Sequence, residues 1–235
     1  MKSRYVMMVA VLLTIAFLGA LSTMAQEPKI VARDAVAYGK TYAEWAVAWN
    51  QWGVGLPVAN HPLFDNGDCS VGQSGPVWFL GGKYCSLFNT NCGYTGVVRE
   101  CKVPAGRALF VTVLDAEVSS LETGVPLITD LKQLAESYVD PATVSMEVDG
   151  VPIRGLKERF RVQADAFAFT IPTDNQFTAI GEGQFAAGTY FPGVDDGIYV
   201  MLYPLPPGKH TVHFHGYFPA FNFNLDITYH LRVEK

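Results

Sequence analysis

From Phe221 to Val233 the chain alternates without a break. Phe221, Phe223, Leu225, Ile227, Tyr229, Leu231 and Val233 are apolar, and Asn222, Asn224, Asp226, Thr228, His230 and Arg232 stand between them. Successive side chains leave a strand on opposite sides, so the pattern predicts one long strand with a core face and a water face. Burial at about 1.5 to 3 kcal/mol per large apolar side chain approaches the net stability of an entire domain, which makes a one-residue slip prohibitive. Upstream, Pro206-Pro207-Gly208-Lys209 matches a type II turn. It predicts that Ile198 to Tyr203 leads back antiparallel into Thr211 to Phe218, with a second, tight turn at Pro219-Ala220 returning the chain into the last strand. In that register Phe218 faces Phe221, Phe214 faces Leu225 and Val212 faces Ile227 on the core side. The other face brings Tyr217 beside Asn222, His215 beside Asn224, His213 beside Asp226 and Thr211 beside Thr228.

The rest of the chain reads in the same way. Thr41 to Trp52 is the best helix: Thr41 and Glu44 form a capping-box pattern, and Gly53, Gly55 and Pro57 end it. Trp45, Trp49 and Trp52 line one helix face, which suits either packing on a sheet or a sugar platform, and packing is the commoner use. Short strands are predicted at Val77 to Leu80, Val97 to Val103 and Ala108 to Leu114, the last two joined by Pro104-Ala105-Gly106. Thr129 to Tyr138 forms a second helix, and Thr143 to Val148 meets Val151 to Ile153 across Asp149-Gly150, a strong hairpin signal. Phe160 to Val162 and Phe167 to Ile171 add strands. The fold class that follows is mainly β, an antiparallel β-sandwich or jelly roll with one or two appended helices.

Composition then places the protein. Met1 to Ala25 pairs a short basic start with an apolar run and a Thr23-Met24-Ala25 exit, the form of a secretory signal peptide, which leaves residues 26 to 235 as a single domain. An uncleaved anchor is the alternative, since the run is nearly long enough to span a bilayer. Cleavage would remove Lys2 and Arg4, taking the formal charge from −5 to about −7. An acidic chain without clustered Lys and Arg argues against nucleic acid or an anionic membrane as partner. Secretion or a periplasmic address makes disulfides the default for Cys69, Cys85, Cys92 and Cys101. Of three possible pairings, the nested one, Cys69 with Cys101 and Cys85 with Cys92, is favoured by the turn residues around them. No cysteine spacing here fits a zinc site.

Candidate chemistry gathers on the polar face of the last two strands. His213 and His215 stand about 7 Å apart along one strand, close enough for both rings to reach one copper or zinc ion, with Asp226 as third ligand or orienting group. A solvated His–Asp surface pair is the plainer reading. Tyr217, Asn222, Asn224 and Asp226 also offer planar hydrogen-bonding groups and an aromatic face to a sugar ring. Asp115, Glu117 and Glu122 follow the strand ending at Leu114, where a carboxylate pair for hydrolysis is conceivable. Asp65-Asn66-Gly67-Asp68 offers oxygens to calcium but lacks the remaining ligands of a calcium loop, so an Asx turn is expected. Gly72-Gln73-Ser74-Gly75-Pro76 breaks the nucleophile-elbow pattern at Pro76, and Ser74 is not counted as a nucleophile.

The stretches Tyr42 to Trp52, Gly72 to Leu80, Cys101 to Leu114 and Leu205 to Val233 resemble a family of uncharacterised secreted bacterial proteins. The resemblance runs over most of the mature chain and implies export and a single domain, without an activity. The leading expectation is an exported protein that binds glycan through the C-terminal sheet face. The alternatives are a mononuclear copper or zinc protein, redox or hydrolytic, using His213 and His215, and a structural envelope or matrix component.

Overall fold

The structure, a computed structural model, describes residues 27–86 and 93–235. The predicted signal peptide and Cys92 lie outside them. Among the described residues, ten strands form two five-stranded sheets. The first contains β1 (Val77–Leu80), β3 (Ala108–Ser119), β6 (Arg161–Gln163), β7 (Phe167–Ile171) and β8 (Gly188–Leu202). The second runs in the order β2 (Gly93–Pro104), β10 (Phe223–Glu234), β9 (Gly208–Phe218), β4 (Thr143–Val148) and β5 (Val151–Pro152). The fold is thus mainly β and sandwich-like, but its sheets are mixed: β1 runs parallel to β3, and β2 parallel to β10. Two longer helices, α1 (Tyr42–Val54) and α3 (Ile128–Val139), accompany the short α2 (Ser120–Thr123), α4 (Leu156–Phe160) and α5 (Gln176–Ala179). No helix among the described residues is long and apolar enough to cross a membrane.

The last strand behaves as its alternation requires: Phe223, Leu225, Ile227, Tyr229, Leu231 and Val233 are buried. Its pairing with β9 differs from the predicted register by two residues, with Phe223 opposite Phe218, Ile227 opposite Phe214 and Tyr229 opposite Val212. The cause is the turn, which is not tight. Pro219–Phe221 forms a 3-10 turn closed by Asn222 at φ 47°, so Phe221 leaves the ladder. A shift of two preserves which face each side chain takes.

The predicted hairpin between Ile198 to Tyr203 and Thr211 to Phe218 does not form. β8 pairs with β3, β6 and β7, whereas β9 pairs with β10 and β4, so residues 203–207 carry the chain from one sheet to the other. Gly208, at φ 147°, belongs to β9 and is not the third residue of a type II turn. Residues 192–202 of β8 are buried throughout, as expected of a central strand covered on both faces.

Helix α1 begins where its sequence signals it. Thr41 accepts a bond from the Glu44 backbone at 3.3 Å while the Glu44 carboxylate accepts one from the Thr41 backbone at 2.7 Å. Its tryptophans pack inward, and each indole N–H finds a backbone carbonyl: Trp45 on Ala37 (2.8 Å), Trp49 on Leu80 (3.1 Å) and Trp52 on Val71 (3.2 Å). The stripe is a packing face and not a sugar platform. Cys69 and Cys101 form a disulfide, and Cys85 is also disulfide-bonded.

Candidate functional site, an acidic cavity beneath the tryptophan helix

Strand β3 runs five residues past Leu114, and this extension builds the site. Asp115 and Glu117 alternate with the buried Ala116 and Val118, so both carboxyls leave one side of the sheet. A bulge between Thr112 and Leu114 decides which side. Leu114 points at the second sheet, since a Cβ on Gly216 would lie 2.9 Å from its Cδ1. Asp115 instead shares the face of Tyr199, which stacks on Phe110 at 5.3 Å and meets Trp49 of α1 edge-on at 6.4 Å. Strict alternation would separate Phe110 from Asp115, five positions on. The bulge reunites them under the helix.

Across the ladder, Glu117 stands opposite Asp195 and Asp115 opposite Gly197. Glycine at 197 leaves the room Asp115 occupies, because a Cβ there would come within 2.6 Å of the Asp115 Cβ. Asp195 Oδ2 accepts a bond from the Tyr199 hydroxyl at 2.8 Å, and Asn50 of α1 donates to that hydroxyl at 3.5 Å. The adjacent Asp196 points to the other face. There the Arg161 guanidinium grips both its oxygens at 2.9 and 2.6 Å, and Gln163 donates at 2.9 Å. Glu122 is bonded by the backbone and hydroxyl of Ser119 in a capping box at the start of α2. Two neighbouring aspartates therefore differ sharply: Asp196 is neutralised, Asp195 is not.

Of these carboxyls, Asp115 and Glu117 border a cavity of about 90 Å³ lined also by Trp49, Tyr84, Thr112, Gln176 and Phe177 and by Phe218, Phe221 and Phe223. Tyr84 reaches in because residue 53 is glycine, where a Cβ would lie 2.1 Å from its hydroxyl oxygen. Burial pushes the Asp115 carboxyl up to about 7, although the Tyr199 hydroxyl partly offsets it. Burial raises Glu117 well above the usual carboxylate range, with the charges of Glu122, Glu182, Asp195 and Asp115 adding to it. Asp195 is likewise raised, first by burial and then by Asp115. Among the described residues, Glu117 Oε1, Gln176 Oε1, Asp195 Oδ1, Thr112 Oγ1, the Tyr84 hydroxyl and, away from the cavity, Trp78 Nε1 are buried without a hydrogen-bond partner. Native proteins leave few such groups, and those on Glu117, Gln176, Thr112 and Tyr84 border this one cavity.

The cavity wall is fixed from outside by Arg99, whose guanidinium bonds the Gly81 and Gly82 carbonyls (2.8 and 3.0 Å), the Tyr229 hydroxyl (2.7 Å) and Asp65 (2.6 Å). Asp65 thus serves ion pairs with Arg99 and Lys83, and Asp68 accepts from the Ser70 backbone at 2.8 Å as an Asx turn. Neither is arranged as a calcium loop. His61 is fully buried with a defined tautomer. Its Nδ1 accepts from the Leu63 backbone at 3.1 Å, so Nε2 carries the proton and donates to Gly53 at 2.9 Å. Burial lowers its pKa to about 4.

The surface predicted from the sequence exists as a ladder of side-chain pairs. Tyr217 donates to Asn222 at 3.3 Å, His215 Nε2 meets Asn224 Oδ1 at 2.6 Å, and His213 Nε2 meets Asp226 Oδ1 at 2.7 Å. These are the expected partners, reached diagonally across a register two residues away from the expected one. His213 also faces Glu147 of β4 at 3.6 Å. The two imidazoles engage different groups, and among the described residues no three or more His, Cys, Asp or Glu are grouped to hold a metal ion.

Comparison with known proteins adds little. No family profile matches the chain, and no curated protein matches it. Among solved structures, a chain from "Structure of PbICP-C in complex with falcipain-2" aligns with 66% of this chain and 98% of its own, at 12% identity and a TM-score of 0.25. A likeness that low carries no argument about function.

Proposed function

We propose that this is an exported ligand-binding protein whose site is the acidic cavity beneath α1. The observation that supports this reading is the set of unpartnered buried polar atoms, from Thr112, Gln176, Glu117 and Tyr84, that border one cavity. A buried donor or acceptor without a partner costs about 1 to 3 kcal/mol, which a ligand that supplies the missing bonds recovers. Export rests on the amino-terminal leader pattern and agrees with the Cys69–Cys101 disulfide. The test is a thermal-shift screen of the mature chain with n-butylammonium, n-butanol, glycerol and glucose, repeated on Thr112→Val, which keeps the shape and removes the unpartnered hydroxyl. At least one compound should raise the melting temperature of the native chain and do so less in the variant. A screen in which none does rejects the site.

A second reading, glycan recognition, keeps the outer face of the second sheet. It is favoured by the ladder itself, in which Tyr217, Asn222, Asn224 and Asp226 are held in a row by their own bonds with the histidines and each other. Retention on a polysaccharide array that disappears when Tyr217 and Asn224 become alanine is the expected outcome. No retention on a broad array argues the ladder down to a stabilising surface.

A further inference from the structure

We propose that the cavity takes the primary ammonium group of a small organic cation, held by Asp115 and Glu117 among aromatic rings; this rests on the cavity being the binding site. Charge is the first argument. Asp115, Glu117 and Asp195 lie on one face of the first sheet, and among the described residues no lysine, arginine or histidine forms an ion pair with any of them. Lys83 also borders the cavity, but its ammonium pairs with Asp65 and lies over the Tyr94 ring at 5.1 Å. Buried carboxyls without a counter-charge are costly, and a cationic ligand supplies that counter-charge.

Hydrogen bonding narrows the class. Glu117 Oε1 and Gln176 Oε1 can only accept when the acid is ionised, and Thr112 Oγ1 and the Tyr84 hydroxyl can do either. Thr112 and Gln176 are 2% and 3% exposed, so bulk water does not serve them. With Glu117 ionised, the state a bound cation favours, the deficit is one of donors. A primary ammonium brings three N–H donors and a full charge, a quaternary one brings charge alone, and an alcohol brings one donor and no charge.

Shape agrees. Trp49, Tyr84, Phe177, Phe218, Phe221 and Phe223 border the space, and aromatic faces attract cations. An apolar cavity of roughly 150 Å³ holds one benzene ring. A space of about 90 Å³ is too small to enclose a sugar ring and suits an alkylammonium end.

Calorimetric titration of the mature chain with n-butylammonium, n-butanol and tetramethylammonium tests this. Butylammonium should bind at least about tenfold more tightly than butanol, the scale of a charge-assisted hydrogen bond. It should weaken about tenfold or more in both Asp115→Asn and Glu117→Gln. Butanol or tetramethylammonium binding as tightly as butylammonium, or binding unchanged in both variants, overturns the ammonium assignment and leaves the cavity as a site for another ligand. Failure of every compound in both this titration and the thermal-shift screen overturns the cavity reading itself. The comparison of ligands on the native chain stands even if a variant does not fold.

Discussion

Asp115 and His61 shift in ways that oppose each other across the same pH range. The Asp115 carboxyl titrates at about 7 in the folded protein against an ordinary value near 3.8. Between those values the folded chain holds a proton that the unfolded chain has released, so stability falls as pH rises through the window and the full penalty is in place above about 7. The penalty amounts to up to about 4 kcal/mol. Glu117 and Asp195 act in the same direction, being raised by burial as well. His61, lowered to about 4 from 6.5, acts oppositely: stability is lost as pH falls below about 6.5 until the buried ring titrates near 4. Three carboxyls outweigh one imidazole. Denaturant unfolding should therefore show lower stability at pH 8 than at pH 5. Asp115→Asn should be the more stable protein at pH 8 by a few kcal/mol, and indistinguishable from the native chain at pH 3.5. A variant less stable than the native chain at pH 8 would contradict this account of the acidic cluster.

At the scale of elements, the loop around residues 61 to 86 is tied to the second sheet by the Cys69–Cys101 disulfide and by the side chain of Arg99. Arg99 of β2 has 9% of its side chain exposed and joins Leu63, Asp65, Gly81, Gly82 and Tyr229 through its planar fork. Methionine fills similar space and satisfies none of these groups, and lysine cannot reproduce the fork. Arg99→Met should lower the unfolding free energy by about 3 to 5 kcal/mol, the usual result of removing one partner from a buried charged network. Because Gly82 borders the cavity, the same change should weaken any cavity ligand. A loss below about 1 kcal/mol in urea unfolding would show that the loop is held by other means.

Over the whole molecule, legibility followed burial. One-sided elements announced themselves: the alternation of β10, the capped helix α1 and the Asp149-Gly150 turn between β4 and β5 all stand where their residues place them. The cysteine pairing of 69 with 101 was readable from turn residues alone. Elements buried on both faces were not. Pro192, Gly193, Asp195, Asp196 and Gly197 give no strand reading, being residue types commoner in turns, yet they lie in β8, where Arg161 neutralises one aspartate and Tyr199 holds the other. The division of neighbours between two sheets left no trace in local pattern, so β8 and β9 looked like a hairpin. The side-chain pairs of the polar ladder were legible although their backbone register was not, because parity survives a shift of two. Asp115 and Glu117 were visible as carboxylates, but the strand was expected to stop before them, and their burial depends on α1 and Tyr84 from distant parts of the chain.

The extra residue in β3 has a consequence for how this chain tolerates change in length. Excising Val113 would leave Phe110 and Asp115 four positions apart, so a plain ladder without the bulge would still keep both acids on the side of Tyr199. The damaging event is the opposite one, a ladder that takes Val113 in as a regular rung, which would turn Asp115 and Glu117 toward the second sheet.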